Sequence, residues 1–355
     1  MERYGIVADL HLGIRQYEGI FRLQEEIADN SVPARMYIVC KALEKWVKKN
    51  KVKKLIVLGD IFHKQDNISL TEVLWAKILL KNLTEENKIE ILLVEGNHDI
   101  CNGLSALKLI ENSNVKIITY NYCSKNLPFD FVEKDFAGQV KYAENDLFMI
   151  LPFTSDKDLV LKFMDKVGNK VLLTHLTINK VKLPNGAVLE GIEMKKDVAI
   201  ISGHIHLAQT IGAIVYVGCF SHNDFGECGI PMGGLVLDTE NGDISGLKYA
   251  QNDYGIEFLN QPILPKAKRF IYRLKDTPEI KKWVSENKIE DKVVFLGAEI
   301  TKELISLQDN PVVDLKEDFI KYVDEVVNKT YQKKVLSIGL PLVEKYYVEN
   351  KESQN

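Results

Sequence analysis

Residues 89–99 read Ile-Glu-Ile-Leu-Leu-Val-Glu-Gly-Asn-His-Asp. A short apolar run ends at a glycine turn and then in Asn97, His98 and Asp99. An apolar run of this length, bounded by turn residues, reads as a buried strand. The same design recurs along the chain. Residues 4–8 end in Asp9-Leu10-His11, residues 55–58 in Gly59-Asp60, residues 171–173 in Thr174-His175, and residues 198–201 in Gly203-His204-Ile205-His206. Five strands each deliver Asp, Asn or His at the carboxyl end, where open α/β sheets bind their ligands.

The segments between the strands support this. Residues 33–49 have helical periodicity, with Met36, Val39, Cys40, Leu43 and Val47 on one face. Residues 16–31 read as a polar loop. Ser69 or Thr71 caps a second helix that turns Val73, Leu74, Ile78 and Leu79 inward. The β-α-β-α-β order predicts an α/β fold with a partly parallel sheet. Apolar runs at 115–119, 147–151, 171–173, 198–201, 214–217 and 234–237 predict a second sheet packed on the first, a two-sheet sandwich flanked by helices. Pro262 and Pro265 mark a boundary. The main domain is expected over 1–260, a small α+β unit over 265–305, and a helical segment over 306–355.

Composition sets bounds. The chain has 355 residues, 46% hydrophobic and 27% charged, which is ordinary for a globular protein and excludes disordered, collagen-like and disulfide-scaffold classes. A net charge of −4 argues against a broad basic surface for nucleic acid. Such a partner would need local patches or bound cations. The cysteines, Cys40, Cys101, Cys123, Cys219 and Cys228, form no CxxC pair and read as reduced thiols of a cytoplasmic protein. No leader sequence and no apolar run of about 20 residues is evident.

The strand-end residues match the chemistry of a dinuclear metal site. Two divalent ions about 3.5–4 Å apart need a bridging carboxylate and N/O donors on each side. Asp9 and His11 can reach one ion, Asp60 can bridge, Asn97 offers a neutral oxygen, and His175, His204 and His206 offer imidazoles. Each motif alone has a plainer reading: Asp-x-His as a surface accident, Gly-Asn-His-Asp as a turn, and Gly-His-x-His as a core or turn histidine. The ordered set, each member after an apolar strand, favours the metal reading. His222, in a Gly-flanked loop after the last motif, reads more simply as a surface-loop histidine than as a site member. Arg15, Gln16 and Tyr17 form either a solvated loop or a backbone contact.

The set DxH, GD, GNHD, H and GHxH resembles the calcineurin-like metallophosphoesterase superfamily. Asp9-Leu10-His11-Leu12-Gly13, Gly59-Asp60-Ile61-Phe62-His63 and the segment 218–238 with Phe225-Gly226-Glu227 resemble its DNA double-strand-break repair branch. That branch comprises SbcD, the meiotic-recombination nuclease and phage recombination endonuclease subunits. The resemblance covers residues 1–250. It implies that Asp9, His11, Asp60 and His206 hold one ion, and that Asp60, Asn97, His175 and His204 hold the other. It further implies that His98 faces the scissile phosphate and that His63 positions it for exonuclease work. Asp99 is expected to order the loop or orient His98. The implied cofactors are two divalent ions, Mn²⁺ foremost, and the implied reaction is phosphodiester hydrolysis by a metal-bound hydroxide. The implied partners are DNA, an SbcC-like SMC-family ATPase docking on residues 306–355, and a second copy of the chain, with no membrane. Part of the Met36, Val39, Cys40 and Leu43 stripe, together with Leu74 and Ile78, would meet that second copy. The implied location is the cytoplasm, the host's if phage-encoded. The alternatives are a phosphoesterase acting on cyclic nucleotides, phosphoproteins or small phosphodiesters, and a binding subunit that kept the fold without catalysis.

Overall fold

A computed structural model of the chain describes residues 2–296, apart from 26, 28–31, 66, 125, 128–129, 195–197 and 240–245. A six-stranded sheet runs in the order Lys248–Gln251, Gly233–Thr239, Glu2–Val7, Lys54–Leu58, Glu90–Val94, Val115–Ile118. The last four strands are parallel, in register Val7 with Val57 and Leu58 with Val94. A seven-stranded sheet runs Gln209–Ile211, Ile214–Tyr216, Ile200–Ser202, Val171–Thr174, Phe148–Leu151, Val140–Glu144, Val132–Phe136. Its four strands between Ile214–Tyr216 and Phe148–Leu151 are parallel.

The unbroken apolar runs follow from burial on both faces. Leu55, Val57, Ile91 and Leu93 point into a core shared with the flanking helices. Their neighbours Ile56, Leu58, Leu92 and Val94 point the other way, against Phe148, Ile150, Leu173 and Ile201 of the second sheet. On that sheet's outer face, Met149, Leu151, Leu172 and Ile200 pack on Leu159, Val160 and Phe163 of the helix Lys157–Met164. The result is a sandwich of two sheets between outer layers of helices.

The helix Ala34–Lys49 buries the five apolar residues expected of it. Three expectations fail. The runs at 115–119 and 234–237, expected in the second sheet, join the first: Val115–Ile118 pairs with Glu90–Val94, and Gly233–Thr239 pairs antiparallel with Glu2–Val7. The stretch expected to be a polar loop contains the helix Glu18–Gln24, which buries Phe21. Tertiary bonds hold this short helix: the Glu18 carboxylate accepts from the Ala34 and Arg35 N–H groups, and the Gln24 side chain bonds both backbone groups of Phe270. Ser69 caps the helix Leu70–Lys81 through a capping box with Glu72, but Leu74 and Ile78 face solvent. The face through Glu72, Ala76, Leu79 and Leu80 is the buried one, and the 3.6-residue period sends Leu70, Leu74 and Ile78 to the opposite side.

Beyond residue 255 the strands Ile256–Leu259, Arg269–Lys275 and Val293–Leu296 form a parallel three-stranded sheet. The helix Pro278–Glu286 accompanies it, with Thr277 as cap and Pro278 in the first turn. Leu259, Phe270, Tyr272, Leu274, Val284 and Ile289 form its core. Residues through Leu296 make one compact unit. The helical segment expected over 306–355, and the last part of the unit expected over 265–305, lie outside the described residues. Among the described residues, no helix is long and apolar enough to cross a membrane.

Candidate metal centre

The parallel strands carry all five motifs to one edge of the sandwich, and their side chains converge in two groups. Asp9, His11 and His206 bring one ligating atom each within 4.8 Å of one another, as do Asp60, His175 and His204. Asp60 stands between the groups: its Oδ2 is 3.2 Å from His175 Nε2 and 3.9 Å from His11 Nε2. His206 Nε2 is 3.6 Å from Asp9 Oδ1 and 3.1 Å from His11 Nε2. The Asn97 amide oxygen lies 3.0 Å from His204 Nδ1. His98 and His63 form a further cluster with His11. The His98 ring lies 5.0 Å from that of His11 and is stacked 6.0 Å from that of His63. All nine residues expected to bind metal or act on phosphate therefore lie together at this edge.

Local backbone shape makes this convergence possible. Asp9, His11, Asp60 and His204 all adopt positive φ, between 45° and 74°. Such conformations cost on the order of 1–3 kcal/mol each and gather at functional sites. At Gly96 a Cβ would lie 2.2 Å from Asp60 Oδ1, so no larger residue fits beside that carboxylate.

Surrounding groups fix the ligand orientations. His175 Nδ1 meets the Leu58 carbonyl at 2.7 Å, so it carries the proton and leaves Nε2 to face Asp60. His98 Nδ1 donates to the His63 carbonyl. Asp60 Oδ1 accepts from His98 N–H at 2.9 Å, and Asp9 Oδ2 from His204 N–H at 3.2 Å. Asp99 is fully buried and does not orient the His98 ring. Its carboxylate accepts the N–H groups of Ile61, Phe62 and Gly96, tying two motif loops together, while burial pushes its pKa up to about 8.

Burial raises Asp9 to about 6, lowers His204 to about 4 and holds His11 well below its ordinary value. Burial also opposes the charge of Asp60 and His175. The attraction between them prevails, holding Asp60 below the usual carboxylate range and raising His175 to about 9.

The residues fit divalent ions. Buried polar atoms normally have partners, yet among the described residues Asp9 Oδ1, in the first convergent group, has no hydrogen-bond partner, and in the second His175 Nε2 is turned onto the Asp60 carboxylate at 3.2 Å. Carboxylate, amide and imidazole donors together suit Mn²⁺, Fe²⁺, Zn²⁺ or Mg²⁺ without choosing sharply.

Two functional candidates escaped the sequence reading. Glu227 is buried, and its Oε1 pairs with His206 Nδ1. A carboxylate behind a ligating imidazole fixes its tautomer and raises its basicity. Glu227 Oε2 accepts from Asn223 N–H at 2.6 Å, and Arg35 holds that loop by donating to the His222 and Asn223 carbonyls. The buried Arg35 guanidinium lies beside the rings of Phe21 and Phe258, at 5.6 and 5.4 Å, and burial lowers its pKa to about 10. In the sequence, the Phe225-Gly226-Glu227 segment stands out only through the family resemblance. Nothing in its spacing announces a bond to a histidine 21 residues earlier.

His222 is neither a surface-loop histidine nor part of the cluster. It is buried, its Nε2 bonding the Ile230 carbonyl and its Nδ1 accepting from Phe258 N–H. It serves to join the core to the strand Ile256–Leu259. Arg15 and Gln16 are exposed, whereas Tyr17 packs against Phe225 and Phe258.

Residues 2–208 match the calcineurin-like phosphoesterase family. No curated protein matches the chain in sequence. Among solved structures the chain is similar to the nuclease MPE of Pseudomonas putida, at 14% identity over 58% of this chain and 62% of that one, TM-score 0.27. It is also similar to the purple acid phosphatase PPD1 of yellow lupin (Lupinus luteus) seeds, at 11% identity over 72% of this chain and 52% of that one, TM-score 0.37. The chain thus spans less than two thirds of the length of either structure. The chain belongs to the calcineurin-like phosphoesterase family, a family of metal-dependent phosphoesterases.

Proposed function

We propose that this member of the calcineurin-like phosphoesterase family is the nuclease subunit of an SbcCD-like DNA repair or recombination complex. It acts on double strands as an exonuclease and on single strands as an endonuclease. The observation that carries the reading is the cluster of His98 and His63 beside His11, next to two three-residue groups suited to divalent ions. His63 belongs to the GDxFH form of the second motif, which other phosphoesterase branches are not expected to share.

Asp9, His11, Asp60 and His206 would hold one ion, and Asp60, Asn97, His175 and His204 the other, with Mn²⁺ as the favoured metal. Bound there, the ions would neutralise phosphodiester oxygens and activate water near neutral pH. The protein's own groups then divide the work. His98, with Nδ1 committed to the His63 carbonyl, keeps Nε2 for the scissile phosphate, where it stabilises developing charge or passes a proton to the leaving oxygen. His63 positions the phosphate, and its Nδ1 has no hydrogen-bond partner among the described residues. Asp99 holds the loops that carry Asp60 and Asn97.

The exposed stripe Leu70, Leu74 and Ile78 suits a contact with a second copy of the chain. The SMC-family ATPase would dock on residues 306–355, and the complex would work in the cytoplasm. Incubation with end-labelled duplex and single-stranded DNA and Mn²⁺, with and without chelator and ATPase, tests the reading. Chelator-sensitive cleavage supports it. Hydrolysis of small phosphodiesters without any DNA cleavage would instead identify a phosphoesterase of small substrates.

A further inference from the structure

A cleft of about 430 Å³ opens beside the metal centre, and no candidate ligand lines it. Its wall is shared with the site through Phe153, whose ring lies 6.3 Å from that of His204 and 6.5 Å from that of His175. Phe153 N–H bonds the Glu95 carbonyl at 2.9 Å, which ties the cleft to the loop carrying Asn97 and His98. Tyr120 supplies a second half-buried aromatic surface. The buried Glu95 carboxylate has Ser105 beside it and accepts one backbone hydrogen bond, from Tyr120 N–H at 3.1 Å. An ionised carboxylate has about four acceptor positions. The other lining carboxylate, Asp156, is occupied in capping the helix Lys157–Met164.

We infer that this cleft is a nucleobase subsite for the nucleotide whose phosphate lies at the metal centre, with guanine the preferred base; the inference rests on the nuclease reading. The volume falls within the usual range of small-molecule sites, about 300–1,000 Å³. Aromatic walls suit the face of any base. A buried carboxylate disfavours a phosphate in the cleft and calls for N–H donors. Guanine offers two adjacent ones, N1–H and N2–H₂, on its Watson–Crick edge, whereas thymine offers only one. Lys108 lines the same cleft, with its ammonium 4.6 Å from the Tyr122 ring.

The test is equilibrium titration of the Mn²⁺-loaded full chain with dGMP, dTMP and 2-deoxyribose 5-phosphate, alongside a DNA cleavage assay with and without an SbcC-like ATPase. The expected result is dGMP bound at least tenfold more tightly than the sugar phosphate, with dTMP between them. Glu95→Gln should reduce the preference for dGMP over dTMP, and Tyr120→Ala should weaken both nucleotides relative to the sugar phosphate. Comparison with wild-type protein avoids dependence on either variant's folding, because the base-dependent difference is read first on the unaltered chain. Equal affinity for dGMP and sugar phosphate overturns the subsite. Base-dependent binding unaltered in both variants overturns its placement. Base-dependent binding without any DNA cleavage overturns the nuclease reading alone.

Discussion

Replacing Glu227 by Gln isolates the support behind one candidate ion from the ligands themselves. His206 Nδ1 must donate to Glu227, because a carboxylate only accepts, and this leaves the Nε2 lone pair facing Asp9 and His11. Burial works against the Glu227 charge, but His206 beside it holds the carboxyl below its ordinary range. Glutamine keeps the shape and loses the charge. Its amide oxygen can serve His206 or the Asn223 N–H, not both with two oxygens as now. If its NH₂ faces Nδ1, the proton of His206 moves to Nε2, where it blocks coordination. Loss of such an outer partner typically weakens metal binding about 10- to 100-fold, or roughly 1.4–2.7 kcal/mol. Calorimetric titration with Mn²⁺ should show one weakened ion and one unaltered, since the Asp60, Asn97, His175 and His204 set does not touch Glu227. Two ions bound with wild-type affinity by Glu227→Gln would refute the argument.

Three other expectations follow from the same geometry. Burial opposes the His206 charge, but Glu227 and Asp9 raise its pKa to about 9, as Asp60 does for His175. The metal-free protein therefore holds protons on both near pH 7, and ion binding must release them. Titrations in buffers of different ionisation enthalpy should show proton release at pH 7 that declines as pH approaches 9, with affinity rising over that range; buffer-independent heats would contradict this. For stability the sign is opposite: these raised values favour the metal-free fold below the ordinary histidine pKa of 6.5, and that contribution is lost as pH rises through about 9. His98→Ala should lower phosphodiester cleavage by at least about 10²-fold, the usual contribution of a positioned proton donor, while both ions remain bound; full activity would remove His98 from the mechanism. His63→Ala should reduce exonuclease cleavage of duplex ends more than endonuclease cleavage of single strands, and equal losses would dismiss that division of labour.

Much of the fold was legible because burial on two faces leaves unbroken apolar runs. The strands around residues 55–58 and 91–94 were readable for that reason, and each site motif follows directly from such a run. The helix Glu18–Gln24 was not legible, because it is held by Glu18 and Gln24 bonding to partners distant in sequence. The outward turn of Leu74 and Ile78 was missed because the helix Leu70–Lys81 is apolar on both faces, so periodicity alone could not say which one is buried. Glu227 and Arg35 act through a tertiary chain that spacing does not encode, and His222 looked like a loop residue until its two ring nitrogens were seen bonded in the core.

The central claim is that the five strand ends build a two-ion centre that cleaves DNA. Its most direct measurement is the stoichiometry of tightly bound Mn²⁺ in the purified chain, paired with chelator-sensitive cleavage of end-labelled DNA in the presence of the proposed SbcC-like ATPase. Two ions per chain, with cleavage that chelator abolishes and Mn²⁺ restores, is the predicted result. One ion or none, or cleavage indifferent to chelator, would contradict it.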